Sequence, residues 1–382
     1  MARSTGKYVV TTTLGEAVQA FVPWQLPPAN PPLAPSRYVE LNREAELALA
    51  RLAGVSGLVP SVEWLLYSAI RKEALLTSQI EGTQATLTDL FDDEAGLKIS
   101  NSDDVEEVTN YLRAFFWVQG QLRDPDGLPI SVRLLCEAHR LLLNGARGAG
   151  KQPGELRRSQ NWIGGTRPGN AAFVPPPPQQ VADLLKDLEH FIHTPNPQLP
   201  GLVMVALIHA QFETIHPFLD GNGRIGRLLI AALMELWGLL QEPLMYLSGY
   251  LKHHQAEYYR RLSAIRTDGD WEGWVCFFLE GVAVASVDAE RNIVEVASLI
   301  TADRKRLVAS PKAGPISYRL FELLPMMPHF SVEHVRQRLA TTFPTASAAV
   351  KLLEDLGIVV EITGQKKNRI YRYQAYVNLL SR

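Results

Sequence analysis

The chain has 382 residues, 46% hydrophobic, 20% charged and 8% aromatic. That is a globular composition, long enough for two or three domains, and it excludes disordered, collagen-like and disulfide-scaffold classes. Two cysteines, Cys136 and Cys276, lie far apart without Cys-x-x-Cys partners, arguing against a disulfide framework and a structural zinc site. The formal net charge of −2 is uneven: residues 310–382 hold ten Lys/Arg against five Asp/Glu, so the tail carries +5 and the rest −7. No apolar core of signal-peptide length follows the basic start at Met1, and the most apolar stretch, residues 228–240, is interrupted by Glu235. A cytoplasmic protein that does not enter the membrane is expected.

Along the chain, residues 23–35 contain six prolines, too many for regular structure, and should wrap over the helical body. Val62, Leu65, Leu66, Ala69, Leu76 and Ile80 then recur at helical spacing behind Ser61, with Gly82 placed to stop the helix, which predicts a helix over 62–81. Further helical patterns occupy 103–120, 131–143, 179–193, 200–215, 225–239, 252–265 and 271–300, with an Asp-Pro-Asp-Gly turn after the first of these. Residues 161–178 hold three glycines, a short hairpin-like run and four consecutive prolines, and read as a loop or flap. A Pro/Gly-rich junction at 308–315 marks a domain boundary with few expected contacts. Beyond it, helices over 316–324, 332–339 and 345–356 and strands over 358–363 and 369–373 follow the order of a winged helix-turn-helix.

The informative run is His216-Pro-Phe-Leu-Asp-Gly-Asn-Gly-Arg-Ile-Gly-Arg227, set between two helical patterns. Glycines flanking an asparagine let backbone N–H groups approach an anion, and the following helix points its N-terminus at the same place. Arg224 and Arg227, three residues apart, could each clamp phosphate oxygens. Asp220 beside this nest would repel a bare phosphate but could hold Mg²⁺ bridging two, so a metal-bound nucleotide is expected. His216 titrates near neutrality and can take a proton from an incoming hydroxyl. Two alternatives stay open on residues alone: a plain turn between core helices, and a zinc site using His209 and His216, seven apart.

This run matches the Fic-family signature His-x-Phe-x-Asp-Gly-Asn-Gly-Arg-x-x-Arg at every defined position. The resemblance covers roughly residues 47–280 and implies a mostly α, Fic-like helical bundle with a small β flap. It further implies transfer of AMP from ATP·Mg²⁺ to a Ser, Thr or Tyr hydroxyl of a target protein, with pyrophosphate released. His216 would be the general base and Asp220 the Mg²⁺ ligand. The nucleotide would be held over Gly221, Asn222, Gly223, Arg224, Ile225, Gly226 and Arg227, with Tyr258 and Tyr259 near the adenine. A branch that phosphorylates its targets has Ala and Lys for the two motif glycines; Gly221 and Gly223 favour AMP transfer. The run Thr77-Ser-Gln-Ile-Glu81-Gly82 resembles the family's inhibitory motif, implying that Glu81 pairs with Arg227 and blocks the γ-phosphate. Asn170, Ala171, Ala172 and Phe173 correspond to the flap that pairs with a target strand.

The expected organisation is an N-terminal helical region with the inhibitory motif over 1–110, the Fic core over 111–309 and the winged helix over 310–382. Self-modification, a homodimer and DNA are further partners considered. A DNA role would place Lys366, Lys367, Arg369 and Arg372 on phosphates and helix 345–356, with Thr345, Ser347 and Lys351, in a groove. Two rival functions are a nucleotide-sensing DNA-binding regulator and a hydrolase removing AMP, in which Glu81 would position water.

Overall fold

The computed structural model describes residues 3–58, 61–145, 149–194 and 196–381; Met1 and Ala2 of the basic start lie outside them. The chain opens on an antiparallel hairpin that the periodicity reading does not anticipate, β1 (Gly6–Thr13) and β2 (Glu16–Pro23), with Gly6 opposite Pro23. Its turn uses Leu14 and Gly15, both at positive φ (48° and 79°). A leucine in that position removes the usual Asn-Gly signal of a two-residue hairpin. The proline-rich stretch then crosses the body as expected. Arg3 ties it down, donating to the carbonyls of Pro31 (2.8 Å) and Pro32 (2.9 Å) while pairing with Glu272 at 2.7 Å.

The body is a stack of helices: α1 (Val39–Val55), α2 (Val62–Ile80), α3 (Leu87–Glu94), α4 (Ser102–Arg123), α5 (Val132–Leu142), α6 (Pro178–His193), α7 (Gly201–Ile215), α8 (Asn222–Leu236), α9 (Leu247–His253), α10 (Gln255–Asp268) and α11 (Trp271–Ala309). Expected helices fall close to these bounds. Helix α1 was not anticipated; it buries Ala45, Ala48, Leu49 and Leu52 along α11. Nor was α3, whose first turn is closed by a reciprocal Thr86–Asp89 capping box. Ser61 caps α2 by its extended backbone alone, and Gly82, at φ 104°, ends it. Every residue of α7 except Gly201 and Glu213 is buried. A helix apolar all round belongs at the centre of a bundle, and α6, α8 and α11 pack around it.

The tail continues as α12 (Pro315–Leu323), β3 (His329–Ser331), α13 (Val332–Arg338), α14 (Phe343–Asp355), β4 (Val360–Glu361), β5 (Ile370–Arg372) and α15 (Gln374–Leu380), with sheet order β3-β5-β4. The expectation of a contact-poor junction is corrected. Helix α11 runs 39 residues without a break and α15 folds back against it, burying Tyr376, Val377 and Leu380. Tyr373 donates to Asp303 at 2.7 Å, His329 meets Asp92 at 2.6 Å, and one apolar core runs through body and tail.

The expected cationic surface of the tail is also smaller than its composition. Arg372 turns toward Asp92 (3.9 Å) with its side chain 19% exposed, and Lys351 is paired with Glu354 and Asp355 at 3.0 Å each. Lys366, Lys367 and Arg369 are exposed. Among the described residues no helix is long and apolar enough to cross a membrane.

Candidate active site

Helix α7 ends at His216, which adopts the left-handed conformation (φ 49°, ψ 62°), uncommon for a residue with a side chain. Arg157, absent from the sequence reading, holds it. This arginine is 2% exposed and donates to the carbonyls of His216 (2.8 Å), Pro176 (2.5 Å), Ile215 (3.3 Å) and Ser159 (3.3 Å). Burial lowers its pKa to about 10, so it stays charged at neutral pH. Burial, then the Arg157 charge, push the His216 imidazole down to about 4. His216 is therefore unprotonated at pH 7 and able to accept a proton.

The turn after His216 is built by side chains that face inward. Phe218 is fully buried; its N–H donates to Asn222 Oδ1, and Asn222 Nδ2 donates back to its carbonyl, both at 2.8 Å. The Asn222 side chain, 2% exposed, thus closes the loop and does not reach for phosphate. His139, also missed, stacks on Phe218 with centroids 3.9 Å apart. Its Nδ1 accepts from the Gly154 N–H (2.9 Å), so Nε2 carries the proton and donates to the Asp220 carbonyl (3.1 Å). A lone histidine on an apolar helix stripe gives no motif by which to find it.

Gly221, at φ 74°, turns the chain into α8, and the Ile225 N–H bonding to the Gly221 carbonyl (3.0 Å) is the first rung of the helix. The N–H groups of Asn222, Gly223 and Arg224 have no rung below them and point to where an anion would sit. Two of the expected nucleotide positions lie on the core side of the turn. Ile225 is fully buried in the core with its N–H used, and Gly226 packs against Glu213, Phe212 and His209, accepting from His209 Nδ1 at 3.1 Å. The other nitrogen of His209 accepts from Tyr258 (2.8 Å). With one nitrogen donating and the lone pair of the other taken, His209 has none left to offer zinc beside His216. Tyr258 is likewise a core residue, 1% exposed and 6.0 Å from the Trp274 ring, so its face is not offered to a base. Tyr259, 47% exposed, offers one.

Asp220 stands at the mouth, its side chain 46% exposed, with Oδ1 accepting from the Gly221 N–H at 2.6 Å. One half-exposed carboxylate beside an anion nest fits Mg²⁺, which takes one or two carboxylates and completes its shell with phosphate oxygens and water.

The arginines are both buried and both paired. Arg227 Nη2 meets Glu81 Oε1 at 2.5 Å, and its Nε and Nη2 donate to the Thr77 hydroxyl (2.6 Å) and carbonyl (3.0 Å). Burial opposes the charge of each partner, but their attraction outweighs it, keeping Arg227 above and Glu81 below their ordinary pKa values. Arg224 pairs with Glu107 of α4 at 3.2 Å. Behind them, burial lifts the Glu213 carboxyl to about 7.

At the flap, Ile163 and Phe173 exchange both backbone hydrogen bonds (2.8 and 3.1 Å), and Asn170 closes the tip by accepting from Thr166 and Arg167 N–H at 3.0 Å. Ala171 and Ala172 lie between Asn170 and the paired Phe173, and the Arg266 guanidinium sits 3.9 Å over the Phe173 ring. The Val174 carbonyl accepts from Phe21 of β2 at 2.9 Å, so the N-terminal hairpin borders the flap.

Residues 39–118 match the Fic/DOC family N-terminal model and residues 129–234 the Fic/DOC family model. Protein adenylyltransferase Fic of Drosophila grimshawi is 28% identical over 205 residues, 53% of this chain and 39% of that protein. A probable protein adenylyltransferase of Aquifex aeolicus is 42% identical over 71 residues, 18% of this chain and 22% of its own length. The chain thus spans well under half of the curated relatives it matches. Among solved structures, a Fic family protein from Desulfovibrio desulfuricans superposes with a TM-score of 0.58 at 22% identity, covering 89% of this chain and 96% of that one. Fic-1 of C. elegans, residues 134–508, gives 0.51 at 22% identity, over 68% and 74%. Residues 39–118 and 129–234 thus carry the N-terminal and Fic segments of the Fic/DOC family, the second of them holding the His216–Arg227 turn.

Proposed function

We propose that the chain is a protein adenylyltransferase, moving AMP from ATP to a Ser, Thr or Tyr hydroxyl of a target protein, itself included, and that Glu81 restrains it. The observation that carries this reading is one turn where a neutral imidazole, three open helix-start N–H groups and two buried arginines converge. His216 would take the proton of the attacking hydroxyl, whose oxygen bonds to the α-phosphorus as the bond to the bridging oxygen breaks. The negative charge leaving with pyrophosphate suits the N–H groups of residues 222–224, Arg224 and Arg227. Asp220 would hold Mg²⁺, which neutralises phosphate charge when bound. Tyr259 would face the adenine, and residues 170–173 would pair with target backbone. Relatives named adenylyltransferases support this reaction class, and two free thiols agree with a cytoplasmic setting.

Restraint follows from the same geometry. While Glu81 holds Arg227, that guanidinium is not available to a γ-phosphate. Incubation with α-phosphate-labelled ATP tests the reading: label should move to protein, more in Glu81→Gly and not in His216→Ala. No label on any protein, Glu81→Gly included, would favour a nucleotide sensor. Loss of AMP from a modified protein, dependent on Glu81, would favour the hydrolase.

A further inference from the structure

A second carboxylate reaches the anion site from a helix without an inhibitory motif. Arg224 is 5% exposed and donates from Nη1 to Glu107 Oε2 at 3.2 Å, while its Nε is buried without a partner. Its other terminal nitrogen lies 3.8 Å from Asp220. Glu107 stands five residues after the start of α4, which packs on both α2 and α8, and its side chain is 22% exposed. Asp103 and Glu106 of α4 line the same cleft beside Asp220 and Arg224. Arg224 is therefore drawn to an acidic wall, just as Arg227 is drawn to Glu81.

We propose that Glu107 is a second latch on the nucleotide site: it holds Arg224 against α4, and a polyphosphate must displace it to engage that arginine. The proposal rests on the reading of the site as an ATP site. Carboxylate and phosphate compete for the same planar donor fork, so holding Arg224 at Glu107 lowers the apparent affinity for phosphate by the fraction of time the arginine is held. The 3.2 Å contact is looser than the 2.5 Å contact of Glu81, so Glu107 is the weaker latch. Helices α2 and α4 touch each other. Their two carboxylates therefore bracket the turn, each on its own arginine.

ATP binding, not transfer, separates the outcomes. In a His216→Ala background, calorimetric titration of ATP with Mg²⁺ would compare the parent, Glu81→Gly, Glu107→Gln, Glu107→Ala and Glu106→Gln. Tightening of about three- to tenfold in either Glu107 variant, smaller than in Glu81→Gly and absent from Glu106→Gln, supports the latch. Glu107→Ala is included because the amide oxygen of Gln can still accept from Arg224. Unchanged or weaker binding in both folded Glu107 variants, with tightening in Glu81→Gly, overturns the latch alone and makes Glu107 a structural anchor of Arg224. Equal tightening in Glu106→Gln also overturns it, assigning the gain to diffuse charge in the cleft. No ATP binding in any variant overturns the nucleotide reading and the latch together.

Discussion

Glu81 and Arg227, 146 positions apart in the chain, meet at 2.5 Å directly against the backbone of Gly223. A methyl group at Gly223 would overlap both the Glu81 carboxylate and the Arg227 guanidinium, so the glycine that opens the anion nest also admits the carboxylate that fills it.

Replacing Glu81 with Gly should raise AMP transfer about tenfold or more. One partly exposed carboxylate supplies only part of the roughly 5.5 kcal/mol that carries a balance from 1:99 to 99:1, so a complete switch is not expected. The double variant Glu81→Gly with Arg227→Ala should lose the gain, because both changes act on one phosphate contact. Transfer unchanged in folded Glu81→Gly would sink the restraint.

Gly223→Ala should cost less stability in Glu81→Gly than in the parent. The added methyl would overlap the Glu81 carboxylate and would also lie 2.9 Å from the Arg227 guanidinium, so removing Glu81 relieves one overlap and leaves the other. Unfolding in urea should show net destabilisation in the parent and a smaller loss in Glu81→Gly. Equal effects in both backgrounds would mean the carboxylate does not occupy that space.

Arg157→Lys should cost about 2–3 kcal/mol of stability. A single ammonium cannot serve carbonyls from four residues, and each buried acceptor left unpaired costs about 1–3 kcal/mol. Transfer should fall as well, because the left-handed His216 loses its tether. Stability and transfer both near parental levels would remove Arg157 from that role.

Acid should act in two opposing ways between pH 7 and 5. His139 and His209 are fully buried and pushed by burial to about 4 and about 3, below an unfolded value of 6.5. The unfolded chain therefore binds their protons first, and stability present above pH 6.5 is lost as pH falls. Glu213, raised by burial to about 7 from 4.5, has the opposite sign: its contribution is full below pH 4.5 and fades as pH rises through 7. Glu213→Gln should therefore steepen the loss of stability from pH 7 to 5 by about 2 kcal/mol. Identical pH slopes in parent and variant would refute the raised carboxyl.

Truncation after Ser310 should lower the melting temperature of the remaining body and expose apolar surface to a dye such as ANS. It removes the cover that Tyr376, Val377 and Leu380 place on α11 and leaves the buried Asp303 without Tyr373. A truncated body as stable as the parent would show that these contacts contribute nothing to it.

The sequence alone determined what depends on neighbours a few positions apart. Helical periodicity set most of the helices to within a few residues, Gly82 and Gly221 marked their turns, and twelve consecutive residues carried the anion-binding chemistry, because caps, faces and tight turns are local. The hairpin and α3 were missed for weak local signals: a Leu-Gly turn in one, eight residues in the other. Tertiary structure decided which side chains face the site. Asn222, Ile225 and Gly226 of the motif, and Tyr258 beyond it, read as ligand contacts but pack inward, whereas Arg157, His139, Glu213 and Glu107 have no motif and surround the turn. Their roles depend on burial and on partners far away in the chain, and no spacing rule along one strand of sequence encodes which distant helix a buried donor will meet.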